Sequence, residues 1–343
     1  MTLIANPIVA QRQLLAGKAL VDQPELVVIA FAGEDRHAWL HSLLSQNLRN
    51  LQVGQSTEAL ALDANGHIQS ILRITEDGER TWAIVDQTGS DQLLDWLRKM
   101  VFRSKVQVLD LREEHRVVAS WGAPISTAAS VIAWTDSWTQ PAPGGHRYGS
   151  SPAEPWALVL NVLGLPEHKA LQANSATEWA PQAALDALRI AAHRPSLAEV
   201  DEKSIPHELD LLASAVHLSK GCYRGQETVA KVHNLGHPPR RLVMLHLDGS
   251  THIHPEVGAD LVLAEDAASG SASSKGRITS VAQHHEMGPI ALAVIGRMVP
   301  ADQALAVLGG QEAVSASQEI IVPMDAGKVA NLPRPGLLGK PRR

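Results

Sequence analysis

The only thiol in the 343-residue sequence, Cys222, stands in Lys220-Gly221-Cys222-Tyr223-Arg224-Gly225-Gln226-Glu227. A lysine two residues before it and an arginine two residues after it place positive charge on both sides, and Gly225 opens a candidate helix. Positive neighbours and a helix N-terminus both favour thiolate over thiol, so the spacing implies a pKa below the usual value of about 8.5. Gly221 and Gly225 let the backbone turn left-handed or approach a ligand closely. Lys231, His233, His237, Arg240 and Arg241 follow as a second basic cluster. Two readings stay open on these residues alone. One is an anion-binding site with a reactive thiol at its edge; the other is an inert cysteine buried in a turn beside a solvated basic face.

A single cysteine excludes an intrachain disulfide and any zinc site built on several thiolates. An iron–sulfur cluster takes about four ligands, mostly thiolates, so a cluster role must be shared with another molecule. The count fits a reducing, cytoplasmic setting. His252 and His254 share a strand face and His284 and His285 are adjacent, but 16 histidines in the chain make such pairs common, and no metal is expected. Trp39 and Trp96 fall on apolar helical faces and read as core, whereas Trp134 and Trp138 could cover a planar ligand. With 45% hydrophobic and 19% charged residues the chain can bury its own interior, and the length suits about two domains. A net charge of −6 argues against a global field for nucleic acid, which is not expected as a partner. No apolar run reaches the ~18–20 residues of a membrane helix, and Met1 to Leu15 lacks a secretory pattern.

The elements that must position the thiol read as α+β with an antiparallel sheet. Leu26–Phe31 is a strand, and Trp39, Leu40, Leu43, Leu44 and Leu48 repeat at helical spacing over Glu34–Leu48. Thr57–Leu62 and Ile68–Thr75 flank Asp63-Ala64-Asn65-Gly66, a hairpin signal, and a second turn leads into Thr81–Asp86. A helix begins at Ser90 as N-cap, Lys105–Asp110 and Val117–Trp121 alternate as strands, and Trp156–Leu163 is a buried strand. Pro181–His193 and Gly225–Asn234 are helices, Ser137–Pro155 is an excursion, and the mixed polarity of Arg194–Ser219 implies a surface crossing. Leu242–Leu247, Asp260–Leu263, Gly276–Gln283 and Ile290–Arg297 form a small β-domain interrupted by the loop Ala267–Ser274, and the Pro-rich basic end reads as a disordered tail.

The string KGCYRGQE resembles the signature of the YgfZ family, folate-binding proteins tied to iron–sulfur protein maintenance and related to the aminomethyltransferase, or T-protein, of the glycine cleavage system. Weaker echoes run from Val27 to Met298. They include Gly33 to Leu44, Asp63-Ala64-Asn65-Gly66, Val101-Phe102-Arg103-Ser104-Lys105-Val106, Leu188-Arg189-Ile190, Ile205-Pro206-His207-Glu208 and Gly276-Arg277-Ile278-Thr279-Ser280. The resemblance implies folate-binding lobes of T-protein type over residues 1–240, two interleaved α+β lobes around a channel. A C-terminal β-barrel over 241–323 and a basic tail over 324–343 complete the division. It implies tetrahydrofolate or a one-carbon derivative as ligand and iron–sulfur client or assembly proteins as partners. Cys222 carries over as the functional thiol, with Lys220, Gly221, Tyr223, Arg224, Gly225, Gln226 and Glu227 as its motif.

Arg189 and Glu208 are candidate folate contacts; the alternatives are a structural arginine bridging Asp186 or Glu178 and an exposed loop acid. Two departures separate the chain from the aminomethyltransferase branch. Gln69-Ser70 stand where T-proteins typically place an Asp pair, and Ala191 stands where they tend to carry a folate-contacting Glu. With no carboxylate there to orient or deprotonate the pterin, the expected function is a folate-binding accessory to iron–sulfur cluster assembly or repair. The alternative is a working aminomethyltransferase.

Overall fold

The structure is a computed structural model that describes residues 2–126, 132–152, 154–250, 255–267, 273–309 and 312–330. Strand β1 (Thr2–Leu3), helix α1 (Pro7–Leu15) and strand β2 (Ala19–Asp22) lead into the first lobe. That lobe contains β3 (Leu26–Ala32), α2 (Arg36–Leu43), β4 (Ser56–Leu62), β5 (Ile68–Glu76), β6 (Arg80–Asp86), α3 (Ser90–Met100) and β7 (Gln107–Asp110). Its sheet runs β4-β5-β6-β3-β7, antiparallel throughout. Val27, Ile29 and Phe31 point to one face of it, where Trp39, Leu40, Leu93 and Leu97 of the two helices close a core of their own. The alternate residues Val28 and Ala30 join the largest apolar cluster on the other face. Both sides of β3 are therefore covered, which is why its sequence is apolar at every position.

The second lobe contains β8 (His115–Trp121), β9 (Ile132–Thr135), β10 (Leu158–Gly164), α4 (Leu165–Ala173), β11 (Glu178–Trp179) and α5 (Gln182–Ala191). Its sheet, β1-β11-β2-β8-β10-β9, has two short parallel pairings at the β11 end that the sequence reading did not foresee. A short helix α6 (Leu212–Ala215) and the motif helix α7 (Gln226–Leu235) precede the third lobe. There β12 (Arg240–Leu247), β13 (Asp260–Leu263), β14 (Gly276–His284), β15 (Gly288–Gly296), β16 (Leu305–Gly309) and β17 (Glu312–Ile320) close a barrel. The α+β reading with a C-terminal β-barrel holds. The largest cluster joins all three lobes, bringing Leu60, Leu160, Leu188 and Met244 together.

Several sequence expectations are corrected. Helix α2 ends at Leu43 rather than Leu48, because Leu44 is extended and Ser45 takes tertiary partners, donating to the Ala215 carbonyl and accepting from the Leu60 amide. The N-cap of α3 is Gly89 in left-handed conformation; the Ser90 hydroxyl donates instead to the Gln87 carbonyl. The interval Arg194–Ser219 reaches the surface only in part, with Ala198, Glu202, Lys203 and Ser219 exposed. Every residue from Ser204 to Val216 is buried, and its polarity answers buried partners: Ser214 donates to Glu58 at 2.6 Å, and Glu208 meets Arg240 at 2.8 Å. The excursion Ser137–Pro155 lies against it, with the Ala142 and His146 amides bonded to the Ala213 and Leu212 carbonyls. Residues 324–330, placed by the sequence in the tail, are tied to the body where the Val329 and Ala330 amides bond the His233 and Asn234 carbonyls. The remainder of the tail, His252, His254 and residues 268–272 of the loop lie outside the described residues.

Candidate functional site

A cavity of about 460 Å³ opens where the first-lobe sheet, the second-lobe sheet and α5 meet. Leu26, Leu158, Leu160, Leu185 and Trp156 give it apolar walls, and Gln23, Gln182, Asp186 and Arg189 border it with polar groups. It shares Glu25 and Asp86 with a wider mouth of about 890 Å³ that reaches Asp63 and Gln69 beside the β4–β5 turn. This size and mixture suit an organic ligand with a flat, partly polar body. Three arginines line the space, and each is already paired. Arg73 donates to Asp86 at 3.2 Å. Arg189 donates to Glu199 and to the Arg194 carbonyl, both at 3.0 Å, and to Ser280 at 2.7 Å, with Asp186 at 3.7 Å. Arg194 holds Glu58 at 2.6 Å and Asp136 at 2.9 Å beneath the Trp138 ring. Burial works against the Arg194 charge, but Asp136 and Glu58 outweigh it and keep the guanidinium protonated.

The motif occupies the surface beside the mouth. Cys222 is exposed, which removes the reading of a buried, inert thiol. Lys220 does not flank it as a free cation. Its buried ammonium donates to the carbonyls of His41 and Leu44 at the end of α2 and lies 4.8 Å from the Tyr223 ring centroid. Burial, with Arg49 adding repulsion, lowers its pKa to about 8. Tyr223 is itself buried, and Gln226 donates to the Lys220 carbonyl at 3.1 Å, folding the loop on itself. Arg224 and Glu227 face solvent. Gly225 caps α7 at φ +83°, where a β-carbon would lie 2.6 Å from the Asp63 carbonyl oxygen and 2.9 Å from Gly66 Cα. The two sequence motifs, the Asp63–Gly66 turn and KGCYRGQE, thus meet backbone to backbone.

Other expected residues fall elsewhere. Glu208 is neither a cavity residue nor an exposed acid: it is fully buried, accepts from Arg240 through both oxygens at 3.0 and 2.8 Å, and accepts from the Ile205 amide. The second basic cluster is mostly consumed within the fold. His233 bonds Tyr148, His237 bonds the Ala326 carbonyl, Arg240 pairs with Asp201 and Glu208, and Arg241 is buried against Val299 and Gln318; Lys231 alone of the five is exposed. Trp134 and Trp138 are buried as core residues rather than ligand covers. Conversely, Asp136, Trp156, Leu158, Leu160 and Arg194 escaped the sequence reading as cavity residues. They come from segments with no common motif, and no spacing signal links them.

No family model matches the chain. The tRNA-modifying protein YgfZ of Yersinia enterocolitica is 27% identical over 270 residues, covering 75% of this chain and 79% of that protein. The mitochondrial iron–sulfur cluster assembly factor IBA57 homolog of Mycosarcoma maydis is 25% identical over 240 residues, 66% of this chain. The chain spans 56% of the length of that fungal protein and of a chloroplastic relative from Arabidopsis thaliana. Among solved structures, the glycine cleavage system aminomethyltransferase T of Bartonella henselae superposes with a TM-score of 0.73 at 17% identity, covering 94% of this chain and 91% of that one. The chain therefore has the T-protein fold. Within that fold it resembles the YgfZ-type proteins, as the KGCYRGQE motif implied.

Proposed function

We propose that this is a tetrahydrofolate-binding accessory protein, cytoplasmic and supporting iron–sulfur cluster assembly or repair in client enzymes, with Cys222 as its outward-facing functional thiol. The observation that carries the reading is the separation of two features: a cavity at the junction of the first two lobes and, outside it, the single exposed thiol. The names of the YgfZ and IBA57-type relatives support the iron–sulfur and tRNA-modification setting, and the T-protein fold supports folate.

The residues present fit a reduced pterin. Its flat ring suits the Leu158, Leu160, Leu185 and Trp156 walls, its N–H groups suit Asp186 and the Gln23 and Gln182 carbonyls, and its carbonyl suits Arg189. The mouth carries Glu25, Asp63, Asp86, Asp201 and Glu202 and repels the glutamate end, whose carboxylates are left to Arg73 because Arg189 faces the pterin carbonyl. Bound folate would supply a one-carbon carrier. Nothing at Gln69, Ser70 or Ala191 can take a proton from it, since Gln69 lines the mouth as a neutral amide and Ala191 is a buried methyl. The chain's own residues bind and orient without a general base at those positions, which favours an accessory role over aminomethyl transfer.

Thermal unfolding with and without tetrahydrofolate, on wild type and Cys222→Ala, tests this. Ligand at about 100 times its Kd stabilises by roughly 2.7 kcal/mol, a rise of several degrees at most. Because Cys222 does not line the cavity, the rise should appear in both proteins, while repair of a client iron–sulfur enzyme should fail only with Cys222→Ala. Absence of any rise would overturn the folate assignment. Folate-dependent ammonia release from an aminomethylated lipoyl carrier would overturn the accessory role.

A further inference from the structure

The mouth that adjoins the cavity is lined by five carboxylates and, among the described residues, by no lysine or arginine. Glu25 and Asp86 border both spaces, so a chain leaving the cavity by the mouth passes them. Three of the five are answered within the fold. Asp86 meets Arg73 at 3.2 Å, Asp63 meets His67 at 3.0 Å, and Asp201 meets Arg240 at 2.6 Å and Arg277 at 3.1 Å. Arg240 is shared with the buried Glu208, so the rim keeps a net negative charge. Glu25 and Glu202 are exposed and make no ion pair among the described residues. Lys203, next to Glu202, is exposed and does not line the mouth. The cavity behind carries its own sign of a ligand. Arg194 in its wall is 4% exposed, and its Nη1 is buried with no acceptor among the described residues. A hydrogen-bond acceptor is what that wall lacks.

We propose that Glu25 and Glu202 make this site selective for a folate with a single terminal glutamate and exclude the polyglutamyl forms. The proposal rests on the tetrahydrofolate reading of the cavity and names the chain length that the site takes. At about 460 Å³ the cavity matches one drug-sized ligand. Arg73 is the cation left to the first glutamate, and every further γ-linked glutamate has to lie in the mouth. Each one adds a net negative charge. There it meets Glu25 and Glu202, with no cation lining the passage to answer it. Like charges set against each other without a counter-ion reject the wrong ligand rather than hold the right one. The rim is open to solvent, so its reach follows the ionic strength: the Debye length is about 30 Å at 0.01 M and about 3 Å at 1 M. The selectivity therefore belongs to low and physiological salt and fades once the rim is screened. Glu25 and Glu202 touch no reacting atom; they set which ligand enters.

The test titrates tetrahydrofolate and its pentaglutamate into the full-length protein and into the double variant Glu25→Gln, Glu202→Gln, with the two single variants to separate the residues. Both positions are exposed, so the variants should fold as wild type does, which their melting temperatures check. At about 0.01 M salt the pentaglutamate should bind wild type at least about tenfold more weakly than the monoglutamate. The gap should shrink at about 1 M salt. It should also shrink in the double variant, with monoglutamate affinity changed less than pentaglutamate affinity. A pentaglutamate that binds wild type as tightly as the monoglutamate, or more tightly, would overturn the proposal and leave the folate site standing. A gap unchanged by salt and by the substitutions would assign the exclusion to shape and remove Glu25 and Glu202 as its cause. Binding of neither form would overturn the folate reading itself.

Discussion

The ammonium of Lys220 ends on two backbone carbonyls of α2 and an aromatic face, and this placement separates two roles that the sequence combines. Lys220 and Tyr223 fold the loop, whereas Cys222, Arg224 and Glu227 are what it presents to solvent. Lys220→Met leaves the carbonyls of His41 and Leu44 without their donor and should destabilise by about 1–3 kcal/mol in urea unfolding, with the alkyl stem retained. A variant as stable as wild type would return Lys220 to the thiol-activating role. Glu208 makes the same distinction in the opposite direction. Because both its oxygens accept from Arg240, Glu208→Gln should lower the melting temperature and leave tetrahydrofolate affinity unchanged. A selective loss of affinity at unchanged stability would restore it as a ligand contact. The thiol and its motif were legible as a candidate site because the residues of the motif are contiguous. The bridge from Arg189 to Asp186 was legible as an alternative, but the bonds of Arg189 to Glu199 and Ser280 and the pairing of Glu208 with Arg240 were not, since only the fold joins those partners.

Turns and helix ends carry the next scale. Gly66 and Gly225 both sit at φ +83° and their backbones touch, so Gly225→Ala meets left-handed strain and a clash with the Asp63 carbonyl together. It should cost about 1–3 kcal/mol from backbone strain alone, and it should alter Cys222 alkylation rates by displacing the loop. Full stability and unchanged alkylation would contradict that contact. The β5–β6 turn is held by Glu76. Burial pushes its carboxyl up, but hydrogen bonds from Arg36, His37, Thr81 and the Gly78 amide pull it down to about 2. A folded-state value below the unfolded 4.5 means stability that is complete above pH 4.5 and is lost as pH falls toward 2. On acidification from pH 5 to 3, wild type should lose more stability than Glu76→Gln; equal losses would remove Glu76 as the cause. Hairpins were readable because Asn65-Gly66 and Asp77-Gly78 fix their turns locally. Strands β16 and β17 were not, because Leu305–Gly309 is short and Glu312–Ile320 is largely polar; the barrel defines them by closing through them. The polar run Ser204–Asp210 misled for the reverse reason, being polar yet buried among its partners.

At the scale of the whole molecule, three lobes share one core, and the cavity lies where the first two of them meet and do not quite fill the space. Its walls are drawn from Gln23 through Ser196, so no window of sequence could have outlined it, although the family resemblance anticipated a channel. No helix among the described residues is long and apolar enough to cross a membrane. The central claim, that this junction is a folate site, is tested most directly by calorimetric titration of tetrahydrofolate into wild type and Leu158→Trp, whose larger side chain fills part of the space. Saturable binding to wild type, weakened at least about tenfold in a folded Leu158→Trp (about 1.4 kcal/mol), is the expected result. Equal affinity in the two proteins, or none in wild type, would contradict it.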